Sequence, residues 1–157
     1  MASSPRLELR ALSRRFGALA AVNDVSLTIA AGQVLCLLGP SGCGKSTTLR
    51  MVAGVETQDS GEILVDGEVV SGLPPERREV GLMFQDFALF PHLTVADNVG
   101  YGIADRASRN ARVATLLSRM ELSHYAGAYP HELSGGEQQR VALARALAPK
   151  PSVMLMD

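Results

Sequence analysis

A glycine-rich run, Gly39-Pro40-Ser41-Gly42-Cys43-Gly44-Lys45-Ser46-Thr47, constrains the fold of this 157-residue chain more than any other feature. It follows an apolar run at residues 34–38, which predicts a buried strand, and it leads into a helix-compatible run at residues 48–53. Strand, glycine-rich loop, Gly-Lys-Ser and helix together form the phosphate-cradling pattern GxxxxGK(S/T). An ordinary glycine turn before a helix is the alternative, and the flanking strand and helix favour the phosphate loop. The sequence therefore predicts a site for a nucleoside triphosphate.

The residue types of this loop suit phosphate groups and a magnesium ion. Glycines let backbone N–H groups converge on a ligand, and the helix N-terminus adds partial positive charge. Lys45 supplies a full charge for the β- and γ-phosphates, and the Ser46 hydroxyl is placed to ligate Mg²⁺. The loop residues predicted to contact the nucleotide are Gly39, Ser41, Gly42, Cys43, Gly44, Lys45, Ser46 and Thr47.

Composition limits the classes of protein to which the chain can belong. Its apolar fraction of 46% permits a real core, and its length suits one domain. A net charge of −1 gives no indication of a nucleic-acid binder, and no apolar run approaches the roughly 18 residues that span a bilayer. Cys36 falls in the predicted buried strand and Cys43 in the loop, so a disulfide framework is implausible and a reducing cytoplasm fits.

Alternating and turn-rich segments predict further strands around the loop. Residues 7–10 alternate like an edge strand, residues 23–29 alternate too, and Asp66-Gly67 between two β-rich runs indicates a hairpin. Residues 80–84 form another apolar run, which predicts a buried strand. Early antiparallel strands before a mostly parallel core indicate a mixed α/β protein.

Two isolated residues each admit a functional and a structural interpretation. Phe16 could stack on an adenine ring near the phosphate loop, whereas a lone Phe is more often part of the core. Asp157 follows an apolar strand predicted at residues 152–156. Ligands of open α/β sheets sit at the carboxyl ends of strands, where a carboxylate facing the phosphate loop suits Mg²⁺ through water. A surface Asp at a strand end is the alternative.

Residues 86–93 are unusually apolar for a loop and carry two of the four phenylalanines. Such a segment either packs inward or is offered to a partner.

Gln85 ends the preceding strand, and Thr94 begins a helix with a capping box. A helical pattern resumes at about residue 106, with its arginines on a solvated face. The sequence therefore predicts a helical insert at residues 89–133.

A pair of glycines opens the helix that follows this insert. Ser134 and Glu137 fit a capping box, and Gly135 and Gly136 between them leave the first N–H groups of the helix bare. Ser-Gly-Gly before a helix fits an anion site and equally fits a plain helix cap. The residues alone leave both interpretations open.

Taken in order, four motifs closely resemble those of the nucleotide-binding subunits of ABC transporters. Residues 39–47 match the family's Walker A motif, and Gln85 matches its Q-loop glutamine. Residues 133–140 (LSGGEQQR) match its signature motif, and residues 153–157 match the start of Walker B. The run from residue 84 to residue 95 looks most like bacterial importers of ferric iron, polyamines or similar solutes. The resemblance extends over nearly the whole chain.

The resemblance implies an α/β fold of the P-loop NTPase class. In that fold a RecA-like mixed sheet core carries an N-terminal antiparallel β subdomain, and a helical subdomain is inserted into the core. For this chain we expect residues 1–88 and 134–157 to form the core with its β subdomain. We expect residues 89–133 to form the helical subdomain, all within a single ATPase domain.

The resemblance also implies ATP and Mg²⁺ as cofactors. Phe16 stands where the family usually has an adenine-stacking Tyr, and Gln85 would sense Mg²⁺ and the attacking water. The residues implied to be catalytic are Lys45, Gln85 and Asp157, and those implied to hold the metal are Ser46, Gln85 and Asp157.

Partners and location follow from the same resemblance. Two such subunits are expected to pair head to tail, so that Ser134, Gly135 and Gly136 touch the γ-phosphate bound to the second subunit. Membrane-spanning permease subunits would meet the segment that begins at Gln85, which explains its apolar character. The resemblance thus implies a peripheral protein on the cytoplasmic face of the inner membrane, with no nucleic-acid partner, whose ATP hydrolysis powers solute import.

The sequence stops at Asp157, before the family's catalytic Glu, D-loop and switch His. We therefore expect a subunit truncated at Walker B, without its C-terminal part, that binds nucleotide but hydrolyses ATP poorly or not at all. The strand between the Walker A and Walker B strands would be absent too, which predicts a marginal fold or rearranged pairing.

Two rival interpretations remain. One is a non-catalytic nucleotide-binding fragment. The other is a soluble ABC-type ATPase acting on DNA or ribosomes. Such proteins carry long coiled-coil or zinc insertions, and the sequence between residues 84 and 133 has neither. The transported solute is not encoded in these motifs.

Overall fold

The computed structural model describes residues 5–157, which form two compact units. The first unit runs to Leu82 and also includes Asp157, and the second unit is Met83–Met156. The chain passes from the first unit to the second between Leu82 and Met83. The predicted division into a core at residues 1–88 and 134–157 and a helical subdomain at residues 89–133 stays a prediction.

A four-stranded antiparallel sheet dominates the first unit. Its strands lie in the order β2-β1-β3-β4, with β1 at Leu7–Phe16, β2 at Leu19–Ile29, β3 at Ser60–Val65 and β4 at Glu68–Val69. Leu7 pairs with Ile29 on one side and with Val65 on the other, so β1 is an inner strand. The prediction of an edge strand at residues 7–10 is therefore wrong.

The hairpin between β3 and β4 is confirmed at the predicted dipeptide. Asp66 and Gly67 have φ values of +51° and +82°, and they form the two-residue loop between the strands. Two left-handed residues in succession match a type I′ turn, which favours Asp-Gly because its twist suits antiparallel strands. The local sequence alone therefore determines this turn.

The helix that follows the phosphate loop, α1 at Lys45–Ala53, ends as predicted at Gly54. Its last carbonyl groups are covered by Arg78, a side chain that is only 4% exposed. The guanidinium donates hydrogen bonds to the carbonyl oxygens of Met51, Val52, Ser71 and Leu73. The burial of Arg78 was not predicted, because one arginine of an Arg-Arg pair beside two prolines gives no signal of burial.

The predicted buried strand at residues 34–38 does not form. These residues have no regular secondary structure, and the side chains of Val34 and Leu38 are 87% and 91% exposed. Cys36, expected in a buried strand, is exposed too. An extended segment becomes a strand only when a neighbouring segment pairs with its N–H and C=O groups. Within residues 5–157 no strand pairs with this run.

The second unit is mainly helical. The remaining elements are β5 at Val80–Met83, α2 at Val95–Gly100, α3 at Arg106–Arg119, α4 at Gly135–Leu147 and β6 at Val153–Met156. Thr94 caps α2 by accepting a hydrogen bond from the N–H of Asp97, as its sequence predicts. Apolar side chains from α2, α3 and α4 form the core of this unit, among them Val95, Val99, Leu116, Leu117, Val141 and Ala144.

The arginines of α3 are only partly the solvated face that the pattern predicted. Arg109 donates to the carbonyl of Gly100 and forms an ion pair with Asp97. Arg112 donates to the carbonyls of Leu147 and Ala148, at the end of α4. Both guanidinium groups are therefore half-buried. Carbonyls at helix ends lack partners inside the helix, so they accept hydrogen bonds from side chains such as these.

Candidate nucleotide site

The glycine-rich loop meets α1 at Gly44, whose backbone is left-handed with φ +91°. A Cβ atom at this position would lie 2.1 Å from the carbonyl oxygen of Ala21. Both facts demand glycine, and they bring the backbone of β2 against the start of the helix. No side chain caps α1, so its first N–H groups stay available to an anion.

Lys45 folds its side chain back over the loop. Its Nζ donates to the carbonyl oxygens of Gly39 at 2.8 Å and Pro40 at 2.7 Å, and it lies 3.4 Å from the Sγ of Cys43. An ammonium group is a strongly hydrated charge with three donors and no acceptor, so it seeks oxygen partners. The loop therefore encloses a cation donor that phosphate oxygens can engage.

A hydroxyl and a carboxylate meet at the other end of the loop. The Ser46 Oγ donates to the Asp157 Oδ1 at 2.5 Å, although the two residues are 111 positions apart. Both residues are half-buried and belong to the first unit. Asp157 therefore faces the phosphate loop, and its role in holding a metal stays a prediction.

These two oxygen groups fit a magnesium ion. Mg²⁺ prefers oxygen ligands, keeps several waters and takes only one or two carboxylates together with substrate phosphates. Among residues 5–157 no cluster of three or more His, Cys, Asp or Glu side chains could hold a metal by itself. A hydroxyl beside one carboxylate next to a phosphate loop suits a nucleotide-borne ion better than a resident metal.

The other predicted loop residues line the same turn. Ser41, Gly42 and Cys43 are exposed, and Thr47 is half-buried in the first turn of α1. Thr48, which was not predicted to contact nucleotide, is buried and donates from its N–H and its Oγ1 to the carbonyl of Gly44. Thr48 therefore holds the start of the helix, while its neighbours stay open to a ligand.

Phe16 is not part of the core. It ends β1 with its ring 45% exposed, and the guanidinium carbon of Arg14 lies 4.9 Å from the ring centroid. Arg14 is held in turn by Glu56 and Asp59, each at 2.7 Å. The N–H of Arg15 and then the guanidinium of Arg14 lower the pKa of Asp59. The core interpretation of Phe16 is thus wrong, and its stacking on adenine stays a prediction.

The capping box at the start of α4 is confirmed. The Ser134 Oγ accepts from the N–H of Glu137, and the Glu137 carboxylate accepts from the N–H of Ser134 at 2.7 Å. The Ser134 hydroxyl, then the Ser134 N–H and the Tyr125 hydroxyl, lower the pKa of Glu137. Gly135 and Gly136 are exposed, and a Cβ atom at either would meet nothing within 4 Å. The helix is capped, and a role in anion binding stays a prediction.

Gln85 is exposed two residues beyond β5, which ends at Met83 rather than at Gln85 as predicted. The loop after it is held by side chains whose role was not predicted from the sequence. Asn98 has no exposed surface and exchanges hydrogen bonds with the N–H and C=O of Phe90. Arg145 of α4 donates to the carbonyls of Phe87 and Ala88. The only sequence signal for the role of Asn98 was its position as a polar residue between the apolar residues Val95 and Val99.

The same loop presents aromatic rings beside a surface cavity. The rings of Phe90 and Tyr101 lie 4.5 Å apart between centroids, and Tyr101 is 65% exposed. A cavity of about 350 Å³ opens next to Tyr101 and is also lined by Leu93, Ile103 and Arg109. This surface therefore combines exposed aromatic area with the ion pair between Arg109 and Asp97. No helix within residues 5–157 is long and apolar enough to cross a membrane.

Comparison with known proteins extends these observations. The chain is 50% identical over 155 residues to the spermidine/putrescine import ATP-binding protein PotA of Nitrosospira multiformis, covering 96% of this chain. It is 50% identical over 157 residues to the sulfate/thiosulfate import ATP-binding protein CysA 2 of Chromobacterium violaceum, covering 98% of this chain. The chain spans 43% of the length of each of these relatives.

A solved structure and a family pattern agree with these relatives. The dimeric, post-hydrolysis ATP-binding cassette MJ0796 bound to ADP and Pi superposes with a TM-score of 0.84 at 32% identity, covering 96% of this chain and 73% of that one. This likeness confirms the predicted α/β P-loop NTPase fold with its antiparallel β subdomain. Residues 22–157 match the family described as ABC transporter. The chain therefore belongs to the ABC transporter family, and relatives at 50% identity are named as import ATP-binding proteins.

Proposed function

We propose that this chain binds ATP together with Mg²⁺ at the loop of residues 39–47. The observation that carries the proposal is the contact between the Ser46 hydroxyl and the Asp157 carboxylate at 2.5 Å, in a loop whose Lys45 ammonium donates to the carbonyl of Gly39. Two adjacent loop residues and a carboxylate 111 positions away thus supply a phosphate-binding cation and two oxygen ligands for the ion. This arrangement suits a magnesium-bound triphosphate.

Each residue of the site has a proposed role. Lys45 exchanges its contacts with the carbonyls of Gly39 and Pro40 for the β- and γ-phosphate oxygens, while the N–H groups of the loop bind the same oxygens. Ser46 would ligate Mg²⁺ directly, and Asp157 would hold it through water. The bound ion would neutralise negative charge on the β- and γ-phosphate oxygens.

Two residues outside the loop complete the proposed site. The exposed ring of Phe16 would stack on adenine, and the Arg14 guanidinium keeps that ring in place. Gln85 would contact Mg²⁺ and the attacking water in the catalytic state. The similarity to an ADP-bound cassette at 32% identity supports an adenine nucleotide as ligand.

We also propose a second copy of the nucleotide-binding subunit as partner. The exposed, uncovered backbone of Gly135 and Gly136 at the start of α4 would contact the γ-phosphate bound to that copy, with Ser134 beside it. The dimeric structure of MJ0796 supports the pairing of two copies. The single domain would then divide into the α/β core and the helical subdomain expected from the sequence.

For the protein of family length, we propose ATP hydrolysis that drives solute import. Membrane-spanning permease subunits would bind at the loop of residues 87–93 and the neighbouring aromatic surface, on the cytoplasmic side of the cell membrane. Relatives named for polyamine import and for sulfate import are both 50% identical to this chain. Relatives named for the import of chemically unlike solutes are thus equally similar to this chain. The activity proposed for the 157-residue chain itself is nucleotide binding.

Thermal melting with and without Mg-ATP tests the proposal. Ligand at about 100 times its Kd stabilises a folded site by roughly 2.7 kcal/mol, which raises Tm by roughly 5–10 °C for a chain of this size. Lys45→Met should abolish this rise because the phosphates lose their cationic partner. Lys150→Met, at the other lysine of the chain, should leave the rise unchanged because that residue is exposed beyond α4.

The same melts distinguish the components of the proposal. Replacing Mg²⁺ with EDTA should shrink the rise, since Ser46 and Asp157 then have no ion to hold. A rise of equal size in Lys45→Met and Lys150→Met would contradict binding at this loop. A cooperative melt of the unsubstituted chain that does not respond to Mg-ATP would contradict nucleotide binding itself.

A further inference from the structure

The loop after Gln85 contains two consecutive residues in an unusual backbone conformation. Phe87 and Ala88 have φ values of +62° and +45°, and neither is glycine. Their N–H groups donate to the carbonyls of Phe84 at 3.0 Å and Asp86 at 2.7 Å. Non-glycine residues persist in this region only when the surrounding structure holds them there. Something outside the loop must therefore fix this segment.

Arg145, in the last turn of α4, supplies that support. Its Nη1 donates to the carbonyl of Ala88 at 2.8 Å and its Nη2 to the carbonyl of Phe87 at 2.9 Å. The guanidinium carbon also lies 5.1 Å from the centroid of the Phe90 ring. Burial lowers the pKa of Arg145, yet a guanidinium stays protonated at neutral pH. The planar guanidinium of Arg145 thus donates to two successive carbonyls and lies over the Phe90 ring.

Asn98 holds the next part of the loop independently. Its Oδ1 accepts from the N–H of Phe90, and its Nδ2 donates to the carbonyls of Phe90, Leu93 and Thr94. Asn98 therefore fixes residues 90–94, whereas Arg145 fixes residues 87–88 and the Phe90 ring. The two side chains divide the loop between them.

We propose that Arg145 is a positioning residue that holds the loop of residues 86–93 in one preformed conformation. This inference rests on the proposed function, in which that loop meets the membrane-spanning partner and α4 begins with the Ser134-Gly135-Gly136 segment. Because Arg145 lies at the far end of that same helix, it links the loop physically to the helix. A displacement of α4 would move the carbonyls of Phe87 and Ala88 with it.

Fluorine NMR of the whole chain labelled with fluorophenylalanine tests this role. The chain has four phenylalanines, so four resonances are expected, and single Phe→Tyr replacements assign them. In Arg145→Met the resonances of Phe87 and Phe90 should shift and broaden, whereas that of Phe16, in the first unit, should not move. Arg119→Met, an exposed arginine of α3, is the matched control and should change none of the four.

Hydrogen exchange gives a second, independent measurement. In the unsubstituted chain the N–H groups of Phe87, Ala88 and Phe90 should be protected, because each has a partner. Arg145→Met should speed the exchange of Phe87 and Ala88 by at least roughly tenfold, while Arg145→Lys, which keeps the charge but loses the fork, should give an intermediate value. Phe90 should respond less, since Asn98 still holds it.

Several outcomes would overturn the proposal. Unprotected Phe87 and Ala88 in the unsubstituted chain would mean that the loop is not preformed. Loop resonances and exchange rates that are unchanged in both Arg145 variants, with only a lower Tm, would reduce Arg145 to a packing role. If Arg145→Met does not fold, Arg145→Lys decides by the same criteria. None of these measurements needs ATP or a partner, so a failure here is distinct from a failure of nucleotide binding.

Discussion

Gly44 is the residue at which the phosphate loop is least tolerant of change. Its φ of +91° and the 2.1 Å approach of a Cβ atom to the carbonyl of Ala21 act together. Gly42 has a similar φ of +80° but nothing within 4 Å of its Cβ position. A substitution at Gly42 therefore tests the cost of the backbone conformation alone, whereas one at Gly44 adds the cost of a steric clash.

We expect Gly42→Ala to lower the free energy of unfolding by about 1–2 kcal/mol, the cost of a left-handed alanine. Gly44→Ala should cost more, because the Ala21 carbonyl must also move and β2 with it. Urea denaturation of both variants measures the difference. Equal losses in the two variants would mean that the approach between Gly44 and β2 relaxes without cost.

The sequence predicted the placement of a residue where a local pattern requires one residue type. It failed where the burial of a side chain decides what that residue contacts. The requirement for Gly44, Lys45 and Ser46 is written into a local pattern, and each lies at the phosphate loop. Arg78 and Arg145 were missed because a charged side chain is predicted at the surface by default. Their partners are backbone carbonyls, which every residue has, so the sequence holds no complementary signal.

At the scale of elements, α4 is fixed at its start by a carboxylate with a lowered pKa. The Ser134 hydroxyl, the Ser134 N–H and the Tyr125 hydroxyl stabilise the charged form of Glu137. A carboxyl whose pKa is lower in the folded chain contributes stability above its unfolded pKa of about 4.3. That contribution is lost as the pH falls through the folded pKa.

Thermal melts across about pH 3–7 should reveal this contribution. We expect Glu137→Gln to melt below the unsubstituted chain near pH 7, and the gap to close as the pH falls below about 4. Glu121→Gln serves as control, because the Glu121 side chain is 87% exposed and its carboxylate lies as far as 3.9 Å from the Arg140 guanidinium. A gap for Glu137→Gln that is constant across the range would show that its charge does not stabilise α4.

Element ends were predicted more reliably than pairing. Thr94, Gly54, Ser134 and the Asp66-Gly67 turn each act through neighbours within four positions, so local sequence suffices. The run at residues 34–38 has the composition of a buried strand, yet its conformation depends on a pairing partner far along the chain. The composition of this run specifies a preference for the strand conformation. The run becomes a strand only when another segment pairs with it.

At the scale of the whole molecule, buried and exposed apolar residues contribute very differently to stability. Leu12 has no exposed surface, whereas Leu38 is 91% exposed. We expect Leu12→Ala to lower the free energy of unfolding by about 2–5 kcal/mol, and Leu38→Ala to change it by less than about 0.5 kcal/mol. Chemical denaturation of the two variants measures both values. A loss above about 1 kcal/mol in Leu38→Ala would mean that residues 34–38 are packed in solution.

The fold class followed from the order of motifs along the chain, since four motifs in sequence leave little choice of architecture. What the order of motifs did not specify is which side chains hold the loops between them. Asn98 and Arg145 act across 8 and 57 positions, respectively, and such contacts depend on how helices pack. Long-range contacts of this kind are set by packing, which a single sequence does not display.

The hydrogen bond from Ser46 to Asp157 closes a ring of chain that contains the whole second unit. Closing a flexible loop of 111 residues costs about 4 kcal/mol in entropy, whereas a hydrogen bond to a charged group contributes only about 1.5–3 kcal/mol. The bond therefore cannot bring its two ends together by itself, and other contacts of the intervening chain must offset the rest of this cost. We therefore expect a chain whose residues 47–156 are unfolded to lose the contact between Ser46 and Asp157.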